Sequence, residues 1–177
     1  MRAAPRVVLA ILLCLVLSVT AAAPGSAAPP PAFGDGPVWL WPLDGPRRVA
    51  EPYRAPAHAY GAGHRGVDLA TAVGAVVRAP AAGVVAFRGV VVDRPLLTID
   101  HGDGLVSTFE PLVSPLSPGD PVSAGEEIGV VDVGGHTAPG ALHVGVRLDG
   151  EYVNPLLLFG AVERAVLLPC CDAIRAP

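Results

Sequence analysis

The chain contains no lysine, and all twelve of its basic residues are arginines. A protein without lysine cannot carry a cofactor attached to a lysine side chain. The arginines are outnumbered by sixteen acidic residues, which gives a net charge of −4. Since nucleic-acid-binding proteins present basic surfaces, this balance argues against a nucleic-acid partner.

Cysteine is also scarce. Cys14 lies in an apolar N-terminal run, and the only other cysteines are the adjacent pair Cys170 and Cys171. Adjacent cysteines can pair only through a strained ring, so the sequence predicts no disulfide framework.

Residues 1–28 have the organisation of a signal peptide. A basic start precedes the uncharged apolar run 7–19, and small residues follow, with cleavage expected between Ala23 and Ala28. The apolar run is short for a membrane span of about 20 residues, which favours a cleaved signal over a retained anchor. We therefore expect a secreted protein of the extracytoplasmic cell envelope, in contact with the membrane only if this segment stays uncleaved.

The rest of the chain has the pattern of one β domain. Residues 29–37 form a Pro/Gly-rich lead-in, residues 38–160 the expected domain, and residues 161–177 a C-terminal tail with a short helical period. Short β-branched runs separated by turn residues occupy 75–78, 83–92, 96–100, 105–109, 128–133 and 142–148. This spacing predicts an all-β fold with an antiparallel sheet or sandwich.

Two separated motifs supply possible metal ligands. His64 and Asp68 are four residues apart in His-Arg-Gly-Val-Asp, and His143 lies in the strand-like run Leu-His-Val-Gly-Val. Catalytic zinc sites use three nitrogen or oxygen ligands of this kind and keep a fourth position for water. Each histidine taken singly is equally well explained as a turn cap or a buried, hydrogen-bonded side chain.

The order of these motifs resembles that of the lysostaphin-type, or LytM-like, peptidoglycan metalloendopeptidases. The resemblance extends from about residue 39 to residue 169 and rests on GHRGVDL at 63–69, VRAPAAGVV at 77–85, LTIDHGDG at 97–104, PGDPVSAGEEIG at 118–129, LHVGV at 142–146 and YVNP at 152–155. It implies an antiparallel two-sheet β-sandwich and a Zn²⁺ ion held by His64, Asp68 and His143. It also implies cleavage of peptide cross-links or stems in bacterial cell-wall peptidoglycan, usually outside the membrane.

The chain departs from that family at both histidines that do not bind metal. The family has a His-x-His pair on the closing strand, but here Ala141 stands two residues before His143, on the same face of the strand. The family's other histidine lies in Tyr-x-His-Leu, and Pro111 takes its place here. A general acid or base contributes about 10²–10⁴-fold to rate, so both losses without replacement would leave only residual activity.

Two other residues are candidates to replace the lost groups. His136 lies in the loop just before the closing strand and is the candidate catalytic residue, with a solvated loop histidine as the alternative. Glu110 adjoins the position of Pro111, but strand alternation would turn it away from the Pro111 face unless a bulge intervenes. We therefore take His136 as the first candidate and Glu110 as the second.

Two classes of function remain open. The first is a secreted zinc metallopeptidase-type domain acting on peptidoglycan, favoured by the intact ligand set. The second is a catalytically degenerate, metal-holding domain that binds peptidoglycan or regulates a cell-wall hydrolase, favoured by Ala141 and Pro111. Residues 118–129 also resemble a turn of lipoyl- or biotinyl-carrier domains, but the absence of lysine excludes that class.

Overall fold

The computed structural model describes residues 38–58, 60–137 and 139–160. These residues belong to a single unit of the fold, Phe33–Pro177. The expected signal peptide, the lead-in at 29–37 and the tail with its cysteine pair lie outside the described residues. Within the described ranges, no helix has the length and apolar character needed to cross a bilayer.

Short antiparallel strands make up nearly all of the regular structure in the described part of the chain. They are β1 Val49–Glu51, β2 Gly66–Ala70, β3 Val76–Arg78, β4 Gly83–Val91, β5 Arg94–Asp100, β6 Leu105–Glu110, β7 Leu112–Val113, β8 Pro121–Val122, β9 Glu127–Val131, β10 Ala141–Leu148 and β11 Glu151–Val153, followed by a 3₁₀ helix at Pro155–Leu157. The predicted all-β class and two-sheet antiparallel architecture are confirmed.

The larger sheet brings together three strands that are far apart in the sequence, β2, β6 and β10. Its strand order is β1-β2-β10-β6-β5-β4-β8, with β11 also paired to β10, while the smaller sheet has the order β3-β9-β7. Strand β10 therefore lies between β2 and β6, both of which run antiparallel to it.

One face of these three strands packs into the hydrophobic core. Val67, Leu69, Val144 and Phe109 on this face are completely buried. Burial of a side chain of this size contributes about 1.5–3 kcal/mol. A register slip of one residue would turn all of them toward the other face, so the core specifies the register. The same register places Asp68 and His143, which alternate with the core residues, on the opposite face.

The structure corrects two details of the predicted strand pattern. The segment containing Asp68 is a strand, β2, and β5 begins at Arg94, where the turn residues predicted a break. Pro95 is paired with Val90 of β4 on one side only, because the pairing of β5 with β6 begins at Leu97. Proline is tolerated at this position for that reason. That end of β5 is thus a sheet edge, and a proline there does not remove a hydrogen bond between strands.

Candidate metal centre

His64, Asp68 and His143 meet at one point on the face of the large sheet opposite the core. His64 Nε2 lies 3.1 Å from Asp68 Oδ1 and 3.1 Å from His143 Nδ1. His143 Nδ1 lies 2.8 Å from Asp68 Oδ1. All three side chains are buried. The structure therefore brings together the three ligands that the sequence predicts.

Strand pairing and one backbone contact set the positions of these side chains. Asp68 of β2 is directly opposite His143 of β10 in the antiparallel register. His64 precedes β2 and forms an isolated bridge with Arg54. Its Nδ1 lies 2.8 Å from the carbonyl oxygen of Pro52. An Nδ1–H donated to that carbonyl fixes the ring and leaves the lone pair of Nε2 directed at Asp68 and His143, as is usual for metal-binding histidines.

Gly66 makes room for the His143 ring. A Cβ atom at position 66 would lie 2.6 Å from both Cε1 and Nε2 of His143 and 2.4 Å from the carbonyl oxygen of Val144. Contacts of that length do not occur between real Cβ atoms and their neighbours. The absence of a side chain at Gly66 is thus required for the observed position of His143.

The protonation chemistry of the three side chains favours a cation among them. Burial raises the pKa of Asp68, but the hydrogen bond with His143 and the electrostatic interactions with His143, His64 and His136 together lower the pKa below its usual value. An ionised carboxylate only accepts hydrogen bonds. If His64 donates through Nδ1, its Nε2 is an acceptor as well, and the 3.1 Å contact between Nε2 and Asp68 Oδ1 joins two acceptors.

The distances also agree with a zinc site. Bonds of about 2.0–2.1 Å in tetrahedral geometry place ligand atoms about 3.3 Å apart. The observed separations of 2.8–3.1 Å are slightly shorter than this. A cation at the centre would therefore satisfy all three atoms after only a small outward adjustment of the side chains.

His136 lies at the exposed side of this cluster. The ring of His136 has its centroid 5.0 Å from that of His143 and 5.9 Å from that of His64, in edge-on arrangements. One ligand atom from each of His64, Asp68, His136 and His143 lies within 4.8 Å of all the others. The structure thus places the candidate catalytic residue next to the predicted ligands, and the four residues together could hold a metal ion.

The two positions that differ from the resembled family provide no imidazole. Ala141 is buried at the beginning of β10, paired with Ala70. Pro111 directly follows the end of β6. Neither residue has an ionisable side chain, so any acid or base at this site has to come from another segment.

Glu110 lies on the same face of the sheet as the ligands, in contrast to the expectation from alternation. It is directly opposite His143 in the register of β6 and β10, and paired residues project to the same face. Its carboxylate is buried and lies 2.8 Å from Arg94 Nε. The close contact and the charge of Glu110 raise the pKa of Arg94. Sequence reasoning missed Arg94, because a single arginine beside a proline gives no signal of a buried partner.

A two-sheet β fold with a His/Asp cluster on the face opposite the core is the arrangement expected of a metallopeptidase-type domain. The sequence profile of peptidase family M23 matches residues 62–155, more than half of the chain and the whole of the site. The chain belongs to peptidase family M23. The resemblance to lysostaphin-type enzymes is thereby confirmed.

The chain also has curated relatives and is similar in fold to several solved structures. The uncharacterized protein Rv2891 of Mycobacterium tuberculosis is 36% identical over 132 residues, covering 71% of this chain and 53% of the relative. The chain therefore spans about half the length of that relative.

Among solved structures, a zinc-containing peptidase from Vibrio cholerae has a TM-score of 0.56 at 21% identity, covering 66% of this chain and 38% of that one. The solution structure of lysostaphin has a TM-score of 0.55 at 22% identity, covering 68% and 54%. At these identities the structural likeness establishes the fold.

Proposed function

We propose that this chain is a secreted zinc metallopeptidase-type domain that cleaves peptide cross-links or stems of bacterial peptidoglycan. The observation that carries the proposal is the convergence of His64 Nε2, Asp68 Oδ1 and His143 Nδ1 within 3.1 Å of one another. The match to family M23 and the zinc-containing peptidase of similar fold support it.

The roles of the residues follow from their positions. His64, Asp68 and His143 would hold the zinc ion, which when bound supplies a positive charge that polarises a peptide carbonyl and acidifies water. Pro52 orients His64, and Gly66 leaves space for His143. The two imidazoles are neutral ligands and Asp68 neutralises one charge, so the centre keeps a net positive charge toward its open side.

Proton transfer would require a group outside the ligand set. His136 is exposed and adjacent to the cluster, which suits a group that exchanges protons with solvent and substrate. Glu110 is on the correct face, but its carboxylate lies 2.8 Å from Arg94 Nε and is occupied by that contact. Glu110 does not belong to the group of four residues whose ligand atoms lie within 4.8 Å.

Zinc content and hydrolysis, measured on the same protein, test this function. We expect the mature chain to bind one equivalent of zinc and to release soluble fragments from purified peptidoglycan. His143→Ala should abolish both, and His58→Ala, at an exposed histidine outside the cluster, should abolish neither. A mature chain that binds no zinc would refute the proposal.

A second function is favoured by the residues that replace the family's other histidines. Because Ala141 and Pro111 carry no ionisable group, the domain would hold the metal for stability and either bind peptidoglycan without cleaving it or regulate a cell-wall hydrolase. Co-sedimentation with purified peptidoglycan, together with zinc binding and no release of fragments, would support this function over hydrolysis.

A further inference from the structure

The position of His136 suggests more than a role in proton transfer. A donor group that acts on substrate needs space between itself and the metal. Here a nitrogen of His136 already lies within 4.8 Å of the ligand atoms of His64, Asp68 and His143. The upper limit of 4.8 Å exceeds the distance between two ligands of a tetrahedral ion, about 3.3 Å, by about 1.5 Å, which is within the reach of a side-chain rotation at the exposed His136.

The loop that carries His136 is built against the sheet at this point. Gly134 and Gly135 have positive φ angles of 131° and 71°. A Cβ atom at Gly134 would lie 2.5 Å from the carbonyl oxygen of Asp93, and one at Gly135 would lie 2.4 Å from Cδ of Arg94. The two glycines therefore let the loop rest directly on Arg94, whose guanidinium is held by Glu110.

The small side chain at position 141 is consistent with the same arrangement. Ala141 is buried two residues before His143 and on the same face of β10. With alanine at this position, the strand supplies no imidazole beside His143. The loop histidine thus takes a place next to the cluster that the strand itself leaves free.

We infer that His136 is a fourth protein ligand, which closes the metal site in its resting state. The inference rests on the three-ligand site of the proposed function and adds a regulation of that site. Zinc sites with four protein ligands are closed, whereas catalytic sites keep one position open. A peptide carbonyl reaches the metal only when His136 leaves it.

His136 is the ligand suited to leave. His64, Asp68 and His143 are buried, and His64 is further fixed by Pro52. His136 is exposed and lies on a glycine-containing loop, so it can turn outward without disturbing either sheet. The resting site is therefore latent, and occupancy of the fourth position by His136 or by substrate controls access.

Cobalt substitution reports on coordination without any measurement of hydrolysis. In the mature chain loaded with Co²⁺, we expect the intense visible absorption of a four-coordinate site. His136→Ala should weaken and shift these bands and lower the affinity for Co²⁺. Loss of a group that only orients a ligand costs about 10- to 100-fold in affinity, and loss of a ligand should cost at least as much.

Access to the fourth position is measured with azide. Azide should compete with His136 in the wild-type chain. The apparent dissociation constant of azide then equals the intrinsic constant divided by the fraction of molecules in which His136 has left the metal. We expect His136→Ala to bind azide about tenfold more tightly or better. Equal affinities for Co²⁺ and azide in the two proteins would overturn the inference, and loss of hydrolysis alone in His136→Ala would instead identify a proton donor.

A gain of signal provides an independent geometric test. His136→Cys should give a thiolate-to-Co²⁺ charge-transfer band, whereas His58→Cys should not. Both variants retain the native cysteines, so the difference between them reports on position 136 alone. Absence of the band in a chain that binds Co²⁺ would refute coordination by residue 136, while a chain that binds no metal at all would refute the proposed function itself.

Discussion

At the scale of single residues, Gly66 connects the sheet to the candidate metal centre. Its side of β2 faces the ring of His143, and a Cβ atom added at position 66 would lie 2.6 Å from that ring. Gly145, its partner in the register of β2 and β10, has no such restriction, because a Cβ atom there would lie 3.6 Å from the nearest atoms.

Gly66→Ala should therefore displace His143 and lose zinc. Forcing a methyl group into a packed site costs about 1–3 kcal/mol of stability, and here the neighbours that must move are a ligand and the backbone of β10. Zinc stoichiometry and urea unfolding of the variant measure both effects. Gly145→Ala is the matched control and should retain zinc; equal retention by the two variants would contradict the argument.

His101 is a histidine with a structural role on the other face of the sheet. Its Nδ1 lies 2.9 Å from the carbonyl oxygen of Ala82, its Nε2 lies 2.7 Å from Ser107 Oγ, and its ring is 4.6 Å from that of Trp39. Burial lowers the pKa of His101 below 6.5 and outweighs the opposing effects of the Ala82 carbonyl and Asp100. As the pH falls, His101 therefore binds a proton at a higher pH in the unfolded chain than in the folded chain.

The pH dependence of stability should contain a contribution from His101. The stabilisation by the neutral ring is complete above pH 6.5 and is lost as the pH falls from there toward the lower pKa of the folded state. Urea midpoints of the metal-free protein should therefore fall as the pH is lowered below about 6.5. His101→Gln should be less stable at pH 7 and show a smaller fall, since the ligand histidines are the same in both proteins. Equal falls would exclude His101 as a source.

At the scale of elements, the strands formed by runs of β-branched residues follow directly from the sequence, including the short β3 and β9, whereas β2, β7 and β8 do not. Strands β4, β5, β6 and β10 correspond to runs of β-branched residues with turn residues at their ends. Strand β2 has only five residues, with Asp68 at its centre, and β7 and β8 have two each. These three segments contain no run of β-branched residues bounded by turn residues, and their partners in the sheet determine their conformation.

The candidate site, too, could be predicted from the sequence only in part, and the loop before β10 shows why. The sequence identifies His64, Asp68 and His143 as candidate ligands because they lie in motifs of a known family. The proximity of His136 depends on positive φ angles at Gly134 and Gly135 and on the surface of Arg94, which no local pattern encodes. Metal binding by these residues remains a prediction.

The pairing of Arg94 with Glu110 should couple β5, β6 and this loop energetically. Removing Arg94 leaves the buried carboxylate of Glu110 without a partner, and loss of one member of a buried pair costs about 3–5 kcal/mol, less where solvent still reaches the group. We expect Arg94→Met to be more destabilising than Glu110→Gln, and the double variant Arg94→Met/Glu110→Gln to recover stability relative to Arg94→Met. Urea unfolding of all four proteins gives the coupling, and strictly additive losses would show that the pair contributes nothing.

At the scale of the whole molecule, the candidate metal centre joins distant parts of the chain. Asp68 and His143 lie on neighbouring strands that are 75 residues apart in sequence, and His64 adds the segment before β2. In the unfolded chain these residues are far apart, so the metal site exists only in the folded protein. Binding energy at the centre therefore appears as stability of the entire larger sheet.

Zinc should raise the unfolding temperature of the domain as a whole. At a free zinc concentration of about 100 times the dissociation constant, linkage predicts a gain of about 2.7 kcal/mol. For a domain of this size the gain corresponds to a rise in Tm on the order of 10 °C. Scanning calorimetry with and without a chelator measures the shift, and His143→Ala should unfold at the same temperature under both conditions. A wild-type Tm that does not respond to the chelator would mean that the cluster is held by the protein fold alone and that the metal makes no contribution to it.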